Sequence, residues 1–253
     1  MINIKSEREI ELMCHAGMLV SKMHQYIKPY IKEGITTKEL DRLCEEFIIK
    51  NDGVPTCKGY EGYPASICTS VNDTVVHGIP DNYKLRKGDI ITIDVVIGYK
   101  GYQGDAAWTY AVGDVDKEKA YLLEHTEKAL YEGIKMVKPG NRIGDISAAV
   151  EEYAKTHNLG VVKELCGHGI GTDMHEDPDV PNYGIAGKGA LLKEGMVICI
   201  EPMLTFGKRY VYLMDDGWTV KTEDGLPAAH YEHTVLVTRD GYEILTPRLE
   251  EGD

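Results

Sequence analysis

The chain predicts an α+β fold in which helices pack on one face of an antiparallel sheet, and three features of the sequence lead to that expectation. The first is a hairpin: the apolar, β-branched run Ile90-Ile91-Thr92-Ile93-Asp94-Val95-Val96-Ile97 is followed by Gly98-Tyr99-Lys100-Gly101 and a second run from Tyr102 to Tyr110. The second is a pair of helix-like stretches with helical apolar spacing, Glu7 to Ile31 and Asp116 to Val137. The third is an internal repeat. Lys32-Glu33-Gly34, Leu40 and Glu45-Glu46-Phe47 return as Lys138-Pro139-Gly140, Ile146 and Glu151-Glu152-Tyr153. In the same order, Leu85-Arg86-Lys87-Gly88-Asp89-Ile90-Ile91-Thr92-Ile93-Asp94 returns as Leu192-Lys193-Glu194-Gly195-Met196-Val197-Ile198-Cys199-Ile200-Glu201. Two such echoes imply one domain over residues 1–253. It would be built from two halves, roughly 1–113 and 114–253, each with two helices and then antiparallel strands about a pseudo-two-fold axis.

Each element then carries its own argument. Centring the hairpin turn between Tyr99 and Lys100 sets Asp94 directly opposite Asp105, on one face of the sheet and with Cβ atoms roughly 5 Å apart. Two carboxylates that close repel by about 3 kcal/mol at an effective dielectric near 20. Solvated surface charges on an exposed hairpin are the plain alternative. Asp94, however, closes the most apolar strand of its half, where an unpaired charge is costly, so a bound divalent metal fits better. The repeat makes Glu201 the counterpart of Asp94 and looks for a partner to Asp105. Glu232, at the start of the strand His233-Thr234-Val235-Leu236-Val237, answers it. Among nine histidines, His168 stands between glycines in Cys166-Gly167-His168-Gly169, an arrangement read as letting backbone and metal approach closely. Four carboxylates suit two divalent cations better than one, and an oxygen-rich set with a single imidazole favours Mn(II), Fe(II) or Co(II) over a structural zinc.

Composition sets the surroundings. A formal net charge of −13 argues against non-specific binding to nucleic acid or anionic lipid. The charged start, Met1 to Glu9, has no apolar core of a signal peptide, and no apolar run approaches membrane-spanning length. Cys14, Cys44, Cys57, Cys68, Cys166 and Cys199 form no C-x-x-C pair, which suggests reduced thiols in the cytoplasm.

With these residues in place a family resemblance appears. Asp94, Asp105, His168, Glu201 and Glu232 follow the D-D-H-E-E ligand order of the methionine aminopeptidases, which have the pita-bread fold. The strings GYEGYPASICTSVNDTVVHGIPD, CGHGIG, HEDPDVPNYG, IEPML and DGWTVKTEDGLPAAHYEHT match as well, so the resemblance runs over nearly the whole chain. The short interval between His168 and Glu201, and the lack of an N-terminal extension, are similar to type I in its short bacterial form. The resemblance implies two divalent ions (Co, Mn, Fe, Zn or Ni), a monovalent cation, and removal of N-terminal methionine ahead of a small second residue. In the implied mechanism a metal-bridging hydroxide attacks the first peptide carbonyl, with Glu201 relaying the proton. Catalytic roles fall to His175, Glu201 and His77. Substrate contacts fall to His77, His175, Cys57, Tyr60, Tyr63, Cys68, Met174 and Trp218. The implied partners are peptide and nascent-protein N-termini, near the ribosomal exit tunnel, for a monomer that engages no membrane. On residue type alone, His77 and His175 read as structural histidines, and the sulfur and aromatic residues as core.

The chain also departs from the family pattern. It has Met174 where members usually carry Phe, Asp173 for Gly, Ala106 and Ala107 for Thr or Ser, Leu165 for an aromatic residue, and His230 for Gln. Three other readings compete with an aminopeptidase: an X-Pro peptidase of the same fold, a non-catalytic binding protein, and a structural metal site. The first normally needs a large preceding domain, the second loses ligands, and the third favours Cys and His over carboxylate.

Overall fold

The structure is a computed structural model that describes residues 2–249. Its first helices are α1 (Glu7–Ile27) and α2 (Thr37–Lys50), followed by strands β1 (Val54–Pro55), β2 (Cys68–Val71), β3 (Thr74–Val76), β4 (Ile90–Tyr99) and β5 (Tyr102–Ala111). Helices α3 (Lys117–Ile134) and α4 (Ile143–Thr156) come next, then β6 (Gly160–Val161), β7 (Gly167–Gly169), β8 (Glu176–Val180), β9 (Val197–Ile200) and β10 (Met203–Thr205). The chain ends with β11 (Val211–Leu213), β12 (Val220–Thr222), β13 (Ala228–His230), β14 (His233–Val237) and β15 (Tyr242–Ile244). The order helix, helix, strands therefore occurs twice, and every strand pairing is antiparallel.

Local chemistry sets where the helices begin. Glu9 reaches back to the Ser6 amide at 2.7 Å to open α1. Thr36 accepts the Glu39 amide at 3.1 Å before α2, and Asp116 the Lys119 amide at 2.8 Å before α3. One layer of core forms between α1, α2 and the β4–β5 hairpin, where Met23, Ile27, Leu40 and Ile48 meet Ile91, Ile93, Val95 and Ile97. A second forms where α3 and α4 (Leu130, Ile134, Ile146 and Val150) cover Ile198, Ile200, Val235 and Val237. In β4 and β5 alternate residues point the other way, and Asp94, Val96 and Asp105 among them line the functional cavity. Among the described residues, no helix is long and apolar enough to cross a membrane.

The hairpin register differs from the sequence expectation. Asp94 pairs with Ala107 and Asp105 with Val96, so the two aspartates are diagonal neighbours and not directly opposed. Asp94 also lies within β4, which runs on to Tyr99, and does not end it. The cause is the turn. Lys100 and Gly101, with φ of 47° and 88°, take the two central positions, and positive φ at both is the signature of a type I′ hairpin turn. Gly98 belongs to the strand. A slip of two residues preserves the face, so both aspartates still look into the site.

The sheet is not continuous through the middle of the molecule. Between β5 and the segment running into β14, threonine hydroxyls substitute for part of the backbone ladder. Asp105 donates its amide to the Thr234 hydroxyl at 3.0 Å, and that hydroxyl donates to the Asp105 carbonyl at 2.8 Å. The Glu232 amide donates to the Ala107 carbonyl at 2.7 Å. The His230 amide donates to the Thr109 hydroxyl at 3.0 Å, which donates to the His230 carbonyl at 2.8 Å. This seam joins the two groups of strands.

Candidate metal centre

The strand registers place the candidate ligands on two adjacent rungs. Asp94 (β4) sits beside Ala107 (β5), which faces Glu232 across the seam. The β9–β14 register, continued one residue past the His233–Ile200 pair, brings Glu201 opposite Glu232. The next rung holds Val96, Asp105, Thr234 and Cys199, and β7 delivers His168 next to Cys199. Asp94, Glu232 and Glu201 therefore share one rung, and Asp105 and His168 the next. Ala107, fully buried, leaves open the space between Asp94 and Glu232.

Every candidate site residue lines one cavity of about 220 Å³: Asp94, Asp105, His168, Glu201 and Glu232 at the floor, and Cys57, Tyr60, Tyr63, Cys68, His77, Met174, His175 and Trp218 around it. Burial of Asp105, Glu232 and Glu201 pushes their carboxyl groups well above the ordinary range, and each is raised further by its acidic neighbours. Asp94 is raised by burial, with His230 pulling the other way. Such a cluster cannot carry four charges without a counter-cation. The oxygens Asp105 Oδ1 and Glu232 Oε1 are buried and without a hydrogen-bond partner. His168 Nδ1 donates to its neighbour's carbonyl, Gly169 O, at 2.9 Å, which leaves the Nε2 lone pair facing the carboxylates. Nε2 lies 3.5 Å from Glu201 Oε1 and 3.7 Å from Asp105 Oδ2. Ligand atoms about 2.1 Å from a shared tetrahedral ion are about 3.4 Å apart. Donor types, orphaned oxygens and spacing all fit divalent metal.

The glycines around His168 have a different purpose from the one expected. A side chain on Gly167 would strike the Cys199 carbonyl, and one on Gly169 the Asp177 carbonyl. They let β7 nestle between β9 and β8, and so position the imidazole by backbone packing.

Above the carboxylates, Cys57, Tyr63, Cys68, Val96 and Met174 form a buried apolar cluster, with Tyr60 and Trp218 packed against it. Burial, with Asp94 nearby, raises the Cys57 and Cys68 thiols well above their ordinary value, so both stay protonated. The His175 ring lies edge-on to His168 at 4.3 Å, and its Nδ1 is 2.9 Å from the Tyr60 hydroxyl. Burial lowers the pKa of His175, and burial brings His77 down to about 4, so both are neutral near pH 7. His77 has φ of 57°, a strained left-handed geometry for a non-glycine residue that is often retained at functional positions.

The structure adds residues that sequence reasoning passed over. Glu61 lines the cavity mouth from a turn where its φ is 47°. Cys199 lies among Asp105, His168 and Glu232, and His230 beside Glu201 and Glu232. Lys5 and Glu176 form a nearly buried ion pair at 2.5 Å, and Glu176 also accepts the Thr172 amide at 3.0 Å, tying down the loop that carries His175. His230 had at least been marked in the sequence as a departure.

Comparison with known proteins agrees with this geometry. The model of metallopeptidase family M24 matches residues 11–239. Methionine aminopeptidase 1 of Bacillus subtilis is 49% identical over 246 residues, covering 97% of this chain and 99% of that protein. The methionine aminopeptidase of Escherichia coli K12 is 44% identical over 252 residues, covering 99% and 96%. The solved methionine aminopeptidase from Rickettsia prowazekii superposes with a TM-score of 0.97 at 42% identity, covering 98% of this chain and all of that one. A prolidase from Pyrococcus horikoshii, at 23% identity and a TM-score of 0.79, shares the fold. The chain belongs to metallopeptidase family M24, among its methionine aminopeptidases.

Proposed function

We propose that this chain removes the N-terminal methionine from peptides and nascent proteins whose second residue is small, in the cytoplasm and as a monomer. One observation carries the reading. A floor of four carboxylates and a tautomerically fixed imidazole lies directly beneath a sulfur- and aromatic-walled cavity of side-chain size. Asp94, Asp105, His168, Glu201 and Glu232 would together hold two divalent ions on that floor. When bound, they supply Lewis acidity and bring the pKa of a coordinated water to about 7.

The chain's own residues do the rest. Cys57, Tyr63, Cys68, Met174 and Trp218 hold the methionine side chain out of water and hand its carbonyl to the floor. Glu201 takes the proton of the attacking water and passes it to the departing amine. With the Tyr60 hydroxyl donating to Nδ1 of neutral His175, Nε2 bears the proton and donates to the carbonyl oxygen as charge builds there. His77 and His175 flank the space beyond the scissile bond and restrict the second residue to a small one. The test is methionine release from Met-Ala-Ser, metal by metal. Chelation abolishes release, and Mn(II), Fe(II) or Co(II) restores it. Full activity in protein shown by elemental analysis to be metal-free would refute the reading.

The mouth should also select on charge. Exposed Asp173 lies near Tyr60, and Glu61 near His175, so two negative groups overlook the residues after the cleavage point. Met-Ala-Lys is expected to be cleaved several-fold faster than Met-Ala-Glu at low salt, with the ratio collapsing toward 1 M salt as the Debye length falls to about 3 Å. The flexible thioether of Met174 should admit norleucine nearly as well as methionine. An unchanged charge preference in the Asp173→Gly, Met174→Phe double variant would remove Asp173 from substrate selection.

A further inference from the structure

His230 has no role in the reaction described above, yet it is the most conspicuous polar group in the cavity's surroundings. It closes β13, is 1% exposed, and neither ring nitrogen has a hydrogen-bond partner. Buried imidazoles rarely remain unsatisfied on both sides. Two equally buried histidines show the ordinary outcome: His24 Nδ1 pairs with the Tyr110 hydroxyl at 2.9 Å, and His233 Nδ1 with the Thr246 hydroxyl at 3.1 Å. The two seam bonds to Thr109 fix the His230 backbone.

The ring's neighbours explain the vacancy in its bonding. His230 Nε2 lies 3.5 Å from Glu201 Oε2, while His168 Nε2 lies 3.5 Å from Glu201 Oε1. Glu201 thus stands between two imidazoles, one per oxygen. Donor atoms fall into two groups, each spanning no more than 4.8 Å: Asp105, His168, Cys199 and Glu232 in one, Glu201, His230 and Glu232 in the other. Glu232 is common to both. The two 3.5 Å separations are close to the spacing of ligand atoms around a shared ion.

We propose that His230 is a metal ligand, so that each of the two ions receives one imidazole. This deepens the metal-centre reading and rests on it. The ion otherwise held by carboxylates alone gains a nitrogen, which moves the centre's preference from Mn(II) toward Zn(II), Ni(II) and Fe(II). A glutamine in this position offers only an amide oxygen.

X-ray absorption of the wild-type protein loaded with two equivalents of Zn(II) counts imidazoles directly. About one per zinc is expected, and about half of one per zinc would overturn the role of His230 without any variant. In His230→Gln the count should fall by about half. Zn(II) affinity of the weaker site, measured by chelator competition, should fall at least about tenfold while Mn(II) affinity changes less than about twofold. Equal losses for both metals, or none, also overturn the proposal. If the wild-type protein takes up no stoichiometric Zn(II), the metal-centre reading itself fails, a result distinct from a low imidazole count.

Discussion

Asp105→Asn or Glu232→Gln should cut methionine release by about a thousandfold, yet raise the melting temperature of the metal-free protein by about 5 °C. The loss corresponds to the several kcal/mol that Lewis-acid stabilisation supplies, at a factor of ten per 1.36 kcal/mol. The gain follows because each substitution puts a neutral amide in place of a buried acid that its acidic neighbours repel. Relief of about 1–2 kcal/mol shifts melting by a few degrees in a domain of this size. Saturating Zn(II) should reverse the ranking, since wild-type binds it more tightly. pH adds a signed check. A carboxyl group raised on folding stabilises below its ordinary value (3.8 for Asp, 4.5 for Glu) and loses that contribution as pH rises through the folded value. The metal-free wild type should therefore weaken with rising pH more steeply than either variant. His24 works in the opposite sense: burial holds it to about 3, so its contribution is complete above 6.5 and drains away as pH falls toward 3. Melting curves in chelator from pH 4 to 8, beside activity assays, check all of this. A variant that loses activity and also melts lower without metal would show that these carboxylates are structural.

Lys5→Met should lower stability by about 3 kcal/mol, some 10 °C in melting temperature, and slow turnover as well. Lys5 and Glu176 side chains are only 4% and 8% exposed. Removing one partner of a buried pair leaves the other charge unpaired, which typically costs 3–5 kcal/mol. Burial alone would raise the Glu176 carboxyl, but bonds from Lys5 and Asn3 outweigh it and hold it below its usual value. Glu176 Oε1 anchors the Thr172 amide, and the same loop carries Met174 and His175, so loosening it would displace His175 from its proposed place at the carbonyl oxygen. Thermal melts and kcat on Met-Ala-Ser decide the matter. Normal kcat with lowered stability would confine the pair to a purely structural role.

The candidate ligands and the two-fold ordering of elements were legible because both are written in local pattern: carboxylates at strand positions, helices with regular apolar spacing, and a repeated turn-and-strand signature. The register was misread because Gly98 looks like a turn residue, whereas Lys100 adopts the positive φ usually given to Asn or Gly. The purpose of Gly167 and Gly169 was misjudged since only the fold shows whose carbonyls approach them. Lys5 and Glu176 were missed for a related reason. Nothing local distinguishes a surface lysine from one that pairs with a carboxylate 171 residues away. Glu61 was hidden by an unusual backbone angle and Cys199 by a strand position that an apolar residue would fill as well, while His230 showed only as a departure from the family pattern.

The seam of threonine hydroxyls has a consequence for the protein's lifetime in the cell. Asp94 and Asp105 lie on one side of it, and His168, Glu201 and Glu232 on the other, so an ion in the centre clasps both sides together. A ligand at a thousand times its dissociation constant adds about 4 kcal/mol to the stability of the protein that holds it. When metal is scarce, repulsion within the floor would act across that seam, and transient opening there would expose the chain to proteolysis. Supply of the ion would then govern how many copies survive as well as how fast each one works.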